Sequence, residues 1–148
     1  IELEPDFKEF LKLLNSHHVE YLLVGGYAVG YYGYPRTTND IDIWAGVSHE
    51  NAHKLCQVFL KFGFSSASVS AEKFLDPSKV YRMGVPPVCI DLLLQVSGLD
   101  FTTSFSRRKT VEIDGIELNL LSLQDLKVNK LASGRHKDLN DIENLPDT

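Results

Sequence analysis

Cysteine is scarce. Cys56 and Cys89 are the only two in 148 residues, too few for a disulfide framework. Both lie among apolar neighbours and read as buried free thiols, which fits a reducing, cytoplasmic setting. Long apolar runs are missing too: nothing approaches the roughly 18–20 residues needed to span a bilayer, so no membrane association is expected. The opening IELEPDFKEF is acidic and amphipathic, unlike a signal peptide. Internal repeats, low-complexity tracts and linkers are absent. The expectation is one domain over 1–148, with a core at about 19–121 and a helical C-terminal segment at about 122–145. Positive charge is in deficit, and a net charge of −5 argues against broad non-specific DNA binding. The histidines have no cysteine or histidine partners at metal-ligand spacing, and no Walker loop is present.

What is there is a mixture of helical and strand signals. Phe7, Phe10, Leu11 and Leu14 recur at helical spacing, which predicts a helix over about 6–17. Tyr21-Leu22-Leu23-Val24 reads as a buried strand running into a sharp Gly25-Gly26 turn, with a short helix from Ala28 to Tyr32. A strand is expected at about 40–45. A helix capped by Ser48 and stopped by Gly63 follows. Residues 65–78 are polar and read as a loop or weak element. Val88 to Leu94 is the most apolar run and reads as a central strand. Asp114-Gly115 between two apolar segments signals a hairpin. Ser122 with Asp125 signals a capping box for a helix ending at about Ser133, before a last helix over about 137–144. Helices and strands mingle without regular alternation, so the fold class is α+β, with a mixed β-sheet flanked by helices.

The strand at 40–45 carries an anomaly. In Asp40-Ile41-Asp42-Ile43 the two carboxylates point to one face, since side chains alternate along a strand, while the isoleucines point to the other. A shared hard cation such as Mg²⁺, which takes oxygen ligands, would reconcile them; solvation on an edge strand or turn capping would also do so. Asp91 lies inside the apolar run Val88-Cys89-Ile90-Asp91-Leu92-Leu93-Leu94. An unpaired charge there is costly, so it must pair, with Arg82 or Arg108, or coordinate metal, or face a cleft. A third carboxylate beside the pair would suit a two-metal site for phosphoryl transfer. Gly25-Gly26 could bring backbone amides up to a phosphate, or merely turn the chain. Lys130 falls on the apolar face of its helix, between Leu123 and Leu126, and must snorkel or reach into a cleft. Two basic strips, Arg107-Arg108-Lys109 and Lys127, Lys130, Arg135 and Lys137, could hold a polyanion. Tyr27, Tyr31, Tyr32 and Tyr34 crowd one turn and could stack on a base, pack in the core or face solvent.

Taken in order, Val24-Gly25-Gly26, thirteen intervening residues, Asp40-Ile41-Asp42-Ile43 and a later strand aspartate resemble the signature of the nucleotidyltransferase superfamily, with the DNA polymerase beta-like fold. Gly-Gly-Tyr-Ala and the Arg36-x-Thr38-x-Asp40 lead-in look most like small prokaryotic members related to the AbiEii toxins of toxin–antitoxin pairs. Lys130 and Lys137-Asp138-Leu139-Asn140-Asp141 match the lysine and the Lys/Arg-Asp-x-x-Asp pattern of those relatives. The resemblance implies transfer of a nucleoside monophosphate from an NTP to a hydroxyl on an RNA 3′ end, a protein or a small molecule. Asp40 and Asp42 would bind two Mg²⁺ or Mn²⁺ ions, and Asp91 would bind one and help take a proton. Gly25, Gly26, Arg36, Thr38, Lys130 and Asp138 would serve the nucleotide. An antitoxin or a helical partner protein is the implied macromolecular partner. Two other outcomes stay open: a catalytically inactive nucleotide- or partner-binding domain, and a phosphohydrolase built on the same carboxylates.

Overall fold

The computed structural model describes residues 2–33 and 39–147, apart from the side chain of Lys137. Along the chain run α1 (Pro5–Ser16), β1 (Tyr21–Val24), α2 (Gly25–Tyr31), β2 (Asp40–Ala45), α3 (His49–Phe62), a 3-10 turn (Ala71–Phe74), β3 (Val80–Val85), β4 (Val88–Leu93), α4 (Phe101–Ser106), β5 (Lys109–Ile113), β6 (Ile116–Leu120), α5 (Leu123–Ser133) and α6 (His136–Asn144). Among the described residues the strands form one six-stranded sheet ordered β3-β4-β2-β1-β6-β5. The β1–β6 and β2–β4 pairs are parallel and the others antiparallel, so the sheet is mixed.

Local chemistry explains most boundaries. Pro5 opens α1, where a missing N–H costs nothing, and Phe7, Phe10, Leu11 and Leu14 form its buried stripe. The Ser48 hydroxyl accepts from the Asn51 amide to cap α3, and Gly63 ends it at φ 124°. Phe10 then meets Phe59 and Phe62 of α3 edge-on at 5.7 and 5.2 Å. Asp114 and Gly115 both take positive φ (51° and 79°), as a tight hairpin turn demands. Strand β1 is buried along its whole length, and Ile41 and Ile43 of β2 are fully buried with it.

Three local expectations differ. The helix after β1 begins at Gly25 rather than Ala28, so the two glycines belong to its first turn. Strand β3 has no clear sequence signature. Its residues are mostly exposed, as on a sheet edge, and Gly84 and the Pro86-Pro87 pair interrupt the pattern. Asp125 supplies only its amide to the Ser122 cap. Its carboxylate instead takes a two-pronged hydrogen bond from Arg107, at 2.8 and 3.1 Å.

The rest of the Arg107-Arg108-Lys109 strip stays exposed while it packs on neighbouring groups. Arg108 donates to the Phe105 carbonyl and lies 4.0 Å from the Phe105 ring centroid. Lys109 sits over Tyr31 and Tyr32. Tyr27 is buried edge-on to Phe7, and the Tyr32 hydroxyl donates to the Leu121 carbonyl. Cys89 is buried and Cys56 half-buried, both as free thiols.

Because Ile43 is fully buried in the strand that carries the aspartate pair, Ile43→Ala should cost about 2–5 kcal/mol. Urea unfolding followed by circular dichroism checks this.

Candidate active site

Strand register assembles the carboxylates. In the antiparallel β1–β2 pair Val24 lies opposite Asp42, and in the parallel β2–β4 pair Asp42 lies opposite Asp91. Neighbouring strands are about 4.8 Å apart, so Asp42 has Asp91 on one side and the end of β1 on the other. Gly25 occupies that end with φ +69°, and a Cβ built on it would fall 2.2 Å from Asp42 Oδ2. The glycine is thus required twice, by its backbone conformation and by the carboxylate packed against it. This is a different use from the phosphate approach read in the sequence. The sequence holds the signal for it only in the placement of Gly25 one residue past the strand.

A cation already stands among the carboxylates. Strand β3 places Arg82 opposite Asp91. Its Nε donates to Asp91 Oδ1 at 2.8 Å, and its Nη2 donates to Asp91 Oδ2 at 3.0 Å and reaches Asp40 Oδ2 at 3.4 Å. Of the partners open to Asp91, the structure therefore shows Arg82, with a cleft on the other side. The hydrogen bonds and charge of Asp91 hold the Arg82 guanidinium above the ordinary arginine range.

A second ionic cluster closes the opposite wall. Lys130, 4% exposed, donates to Asp138 Oδ1 at 3.0 Å and lies 3.3 Å from Asp141 Oδ2. Asp138, fully buried, also accepts from Ser133 Oγ at 2.6 Å and from Arg135 Nε and Nη2 at 2.6 and 3.2 Å. Burial pushes the Asp138 carboxyl up, but the bonds from Arg135, Ser133 and Lys130, with the Lys130 charge, outweigh it and hold the group far below the usual carboxylate range. The Arg135 guanidinium is held up chiefly by Asp138, and Asp42 adds to this through space. The link joins the two clusters electrostatically.

Between them lies a cavity of about 730 Å³. It is lined by Gly25, Gly26, Asp40, Asp42, Asp91 and Lys130, residues that the sequence singled out and the structure brings together. Asp138 lies behind Lys130 rather than on the wall. Arg36 and Thr38 lie outside the described residues, as does the side chain of Lys137. Ser78, Gln95, Ser97, Asn129 and Ser133 also line the cavity. No motif marks them, because they come from loops and helix faces whose meeting depends on the tertiary fold.

Asp40, Asp42 and Asp91 offer oxygen donors only, on one sheet face beside a roomy polar cavity, and so fit hard divalent ions in kind and position. They are not drawn together as for a bound ion: among the described residues no three Asp, Glu, His or Cys side chains form such a group. Arg82 is engaged with two of the three donors.

A nucleotidyltransferase arrangement of sheet, glycine turn and strand aspartates is what this fold and site define. The family described as "nucleotidyltransferase of unknown function (DUF6036)" matches residues 3–145, and the chain belongs to it. Two solved structures share the fold. One is a Thermotoga maritima protein provisionally named a nucleotidyltransferase, with a TM-score of 0.63, 16% identity, and 96% of this chain and 93% of that one covered. The other is an antigenic nucleotidyltransferase-like protein from Paracoccidioides brasiliensis, with a TM-score of 0.54, 23% identity, and 94% and 73% covered. No curated protein matches the chain. Among the described residues no helix is long and apolar enough to cross a membrane.

Two substitutions test this geometry. Gly25→Ala should displace the Asp42 carboxylate and lower the melting temperature, whereas Gly30→Ala, at a site with open space around its Cβ, should be nearly neutral. Asp138→Asn leaves Lys130 and Arg135 short of charge and should cost about 3–5 kcal/mol at neutral pH. The folded-state depression of Asp138 stabilises the wild type above the ordinary aspartate pKa of about 3.9, and this is lost as pH falls through the lower folded value. The difference between the two proteins in urea unfolding should therefore persist from pH 7 down to that range and shrink below it.

Proposed function

We propose that the protein is a metal-dependent nucleotidyltransferase that moves a nucleoside monophosphate from an NTP to a hydroxyl and releases pyrophosphate. The observation that carries this reading is the pairing of Asp42 with Asp91 by strand register, with Gly25 packed against Asp42 just past β1, on the wall of the cavity.

Asp40 and Asp42 would hold two Mg²⁺ or Mn²⁺ ions, and Asp91 one of them. Bound there, the ions supply positive charge to the transferring phosphoryl group and the leaving pyrophosphate, and acidify the attacking hydroxyl. The hydroxyl oxygen bonds to the α-phosphorus as the bond from that phosphorus to the bridging oxygen breaks. Asp91 accepts the hydroxyl proton, directly or through water. Gly25 and Gly26 line the cavity where backbone can approach the triphosphate, and Arg36 and Thr38 would contact phosphate from the lead-in segment. Lys130, on the cavity wall, would add positive charge near the triphosphate, and Asp138 would position it.

A second cavity of about 310 Å³ bears on the acceptor. It shares Pro77 and Gln95 with the first and is lined by Trp44, two residues beyond Asp42 on the same face of β2. Glu20 and Asp100 contribute to it, and no lysine or arginine does among the described residues. This favours a small hydroxyl compound over an RNA 3′ end, whose phosphates would meet carboxylates. A toxin–antitoxin role, with an antitoxin as partner, would rest on the likeness of the Gly-Gly-Tyr-Ala, Arg-x-Thr-x-Asp and Lys130 with Lys137-Asp138-Leu139-Asn140-Asp141 residues; a helical partner protein would be a further way of completing the acceptor site. A cytoplasmic setting would be consistent with the two free cysteines.

The test is incubation with each labelled NTP and Mg²⁺ or Mn²⁺, alongside total RNA, protein lysate or a low-molecular-weight extract. Label should pass to the small-molecule fraction with matching pyrophosphate. Asp42→Asn should reduce both by about 10²–10³-fold, the scale of losing one preorganised electrostatic group. NTP binding without pyrophosphate would instead identify an inactive binding domain, and phosphate release without an acceptor a phosphohydrolase.

A further inference from the structure

We propose that Arg82 is the resident counter-cation of the carboxylate face, and that a divalent ion can bind there only by displacing it. This rests on the metal-dependent reading above and adds to it a residue that sets when metal enters. The geometry is specific. Both oxygens of Asp91 are engaged by one guanidinium, at 2.8 and 3.0 Å, and the same Nη2 reaches Asp40 at 3.4 Å. A bidentate pair of this kind is directional as well as charged, so the arginine fixes the plane of the Asp91 carboxylate and bridges two candidate ligands.

Arg82 is free to leave. It stands on β3, at the edge of the sheet, and its side chain is 53% exposed, whereas the Asp91 side chain is 11% exposed. The buried partner cannot follow the ion outward, but the arginine can rotate into solvent. While it stays, its charge repels an incoming dication and occupies the donors that dication needs. Three carboxylates on one face remain tolerable without metal because an arginine lies among them. Free metal should consequently bind weakly, and metal entry should be coupled to release of the Arg82–Asp91 pair.

The experiment is a Mn²⁺ titration of the full chain without nucleotide, read by the electron paramagnetic resonance of free Mn²⁺, for wild type, Arg82→Gln and Arg82→Lys. Arg82→Gln should bind Mn²⁺ about tenfold more tightly, from removal of one nearby positive charge, and Arg82→Lys should stay near wild type. Equal or weaker binding by folded Arg82→Gln overturns the proposal, since Arg82 would then orient Asp91 for the ion rather than compete with it. Should Arg82→Gln fail to fold by circular dichroism, the wild-type Arg82 Nε–H resonance decides. It should move toward that of a solvated arginine as Mg²⁺ saturates the site, and an unmoved resonance at saturation overturns the proposal. If neither wild type nor Arg82→Gln binds Mn²⁺, alone or with a non-hydrolysable NTP analogue, the metal site itself is refuted and the parent reading falls with it. Equal binding by both removes only the role of Arg82.

Discussion

Three carboxylates on one face of a sheet repel one another, and the rest of the site is organised by how that repulsion is offset. Arg82 answers it from β3, gripping Asp91 and reaching Asp40. Arg135 adds positive potential near Asp42 from the opposite wall. The sheet order makes this possible. β2 lies between β1 and β4, and β3 lies outside β4, so Gly25 at the end of β1, Asp42, Asp91 and Arg82 follow one another across the sheet.

The C-terminal helices solve a parallel problem. Lys130 and Asp138 are both buried, an expensive arrangement unless every hydrogen-bonding position is filled. Asp138 accepts from Lys130, Ser133 and Arg135, and Asp141 adds a second negative charge beside the lysine. Gly134, at φ 65°, ends α5 and lets the chain turn directly into α6, which brings residues 130, 133, 135 and 138 together. The cluster fixes where the lysine stands on the cavity wall. Removing either charge would leave the other with one ionic partner fewer, Asp141 remaining for Lys130 and Arg135 for Asp138.

Much of this was legible in the chain itself. The alternation Asp-Ile-Asp-Ile put the carboxylates on one face and the isoleucines in the core, and β2 runs over the expected Asp40–Ala45. Ser48, Gly63, Ser122 and Gly134 marked helix ends by chemistry that acts within a few residues. The charge of Asp91 inside an apolar run required a partner or a cleft, and the structure supplies both. Less legible were β3 and α4. The first is a mostly exposed edge strand interrupted by Gly84, and the second is a single six-residue helix. Neither generates a long enough periodic pattern to stand out.

The sequence by itself determined most local elements, the parity of the aspartates and the place of Lys130 on the apolar face of its helix, because backbone period and side-chain polarity act over neighbouring residues. Tertiary structure decided which charges meet. Arg82 and Arg108 were equivalent partners for Asp91 on the sequence, and only the β3–β4 register selects Arg82 while Arg108 turns to Phe105. Likewise, Gly25 reads as a turn residue until the β1–β2 register sets it against Asp42. Register depends on pairing between segments distant in the chain, which no local pattern encodes.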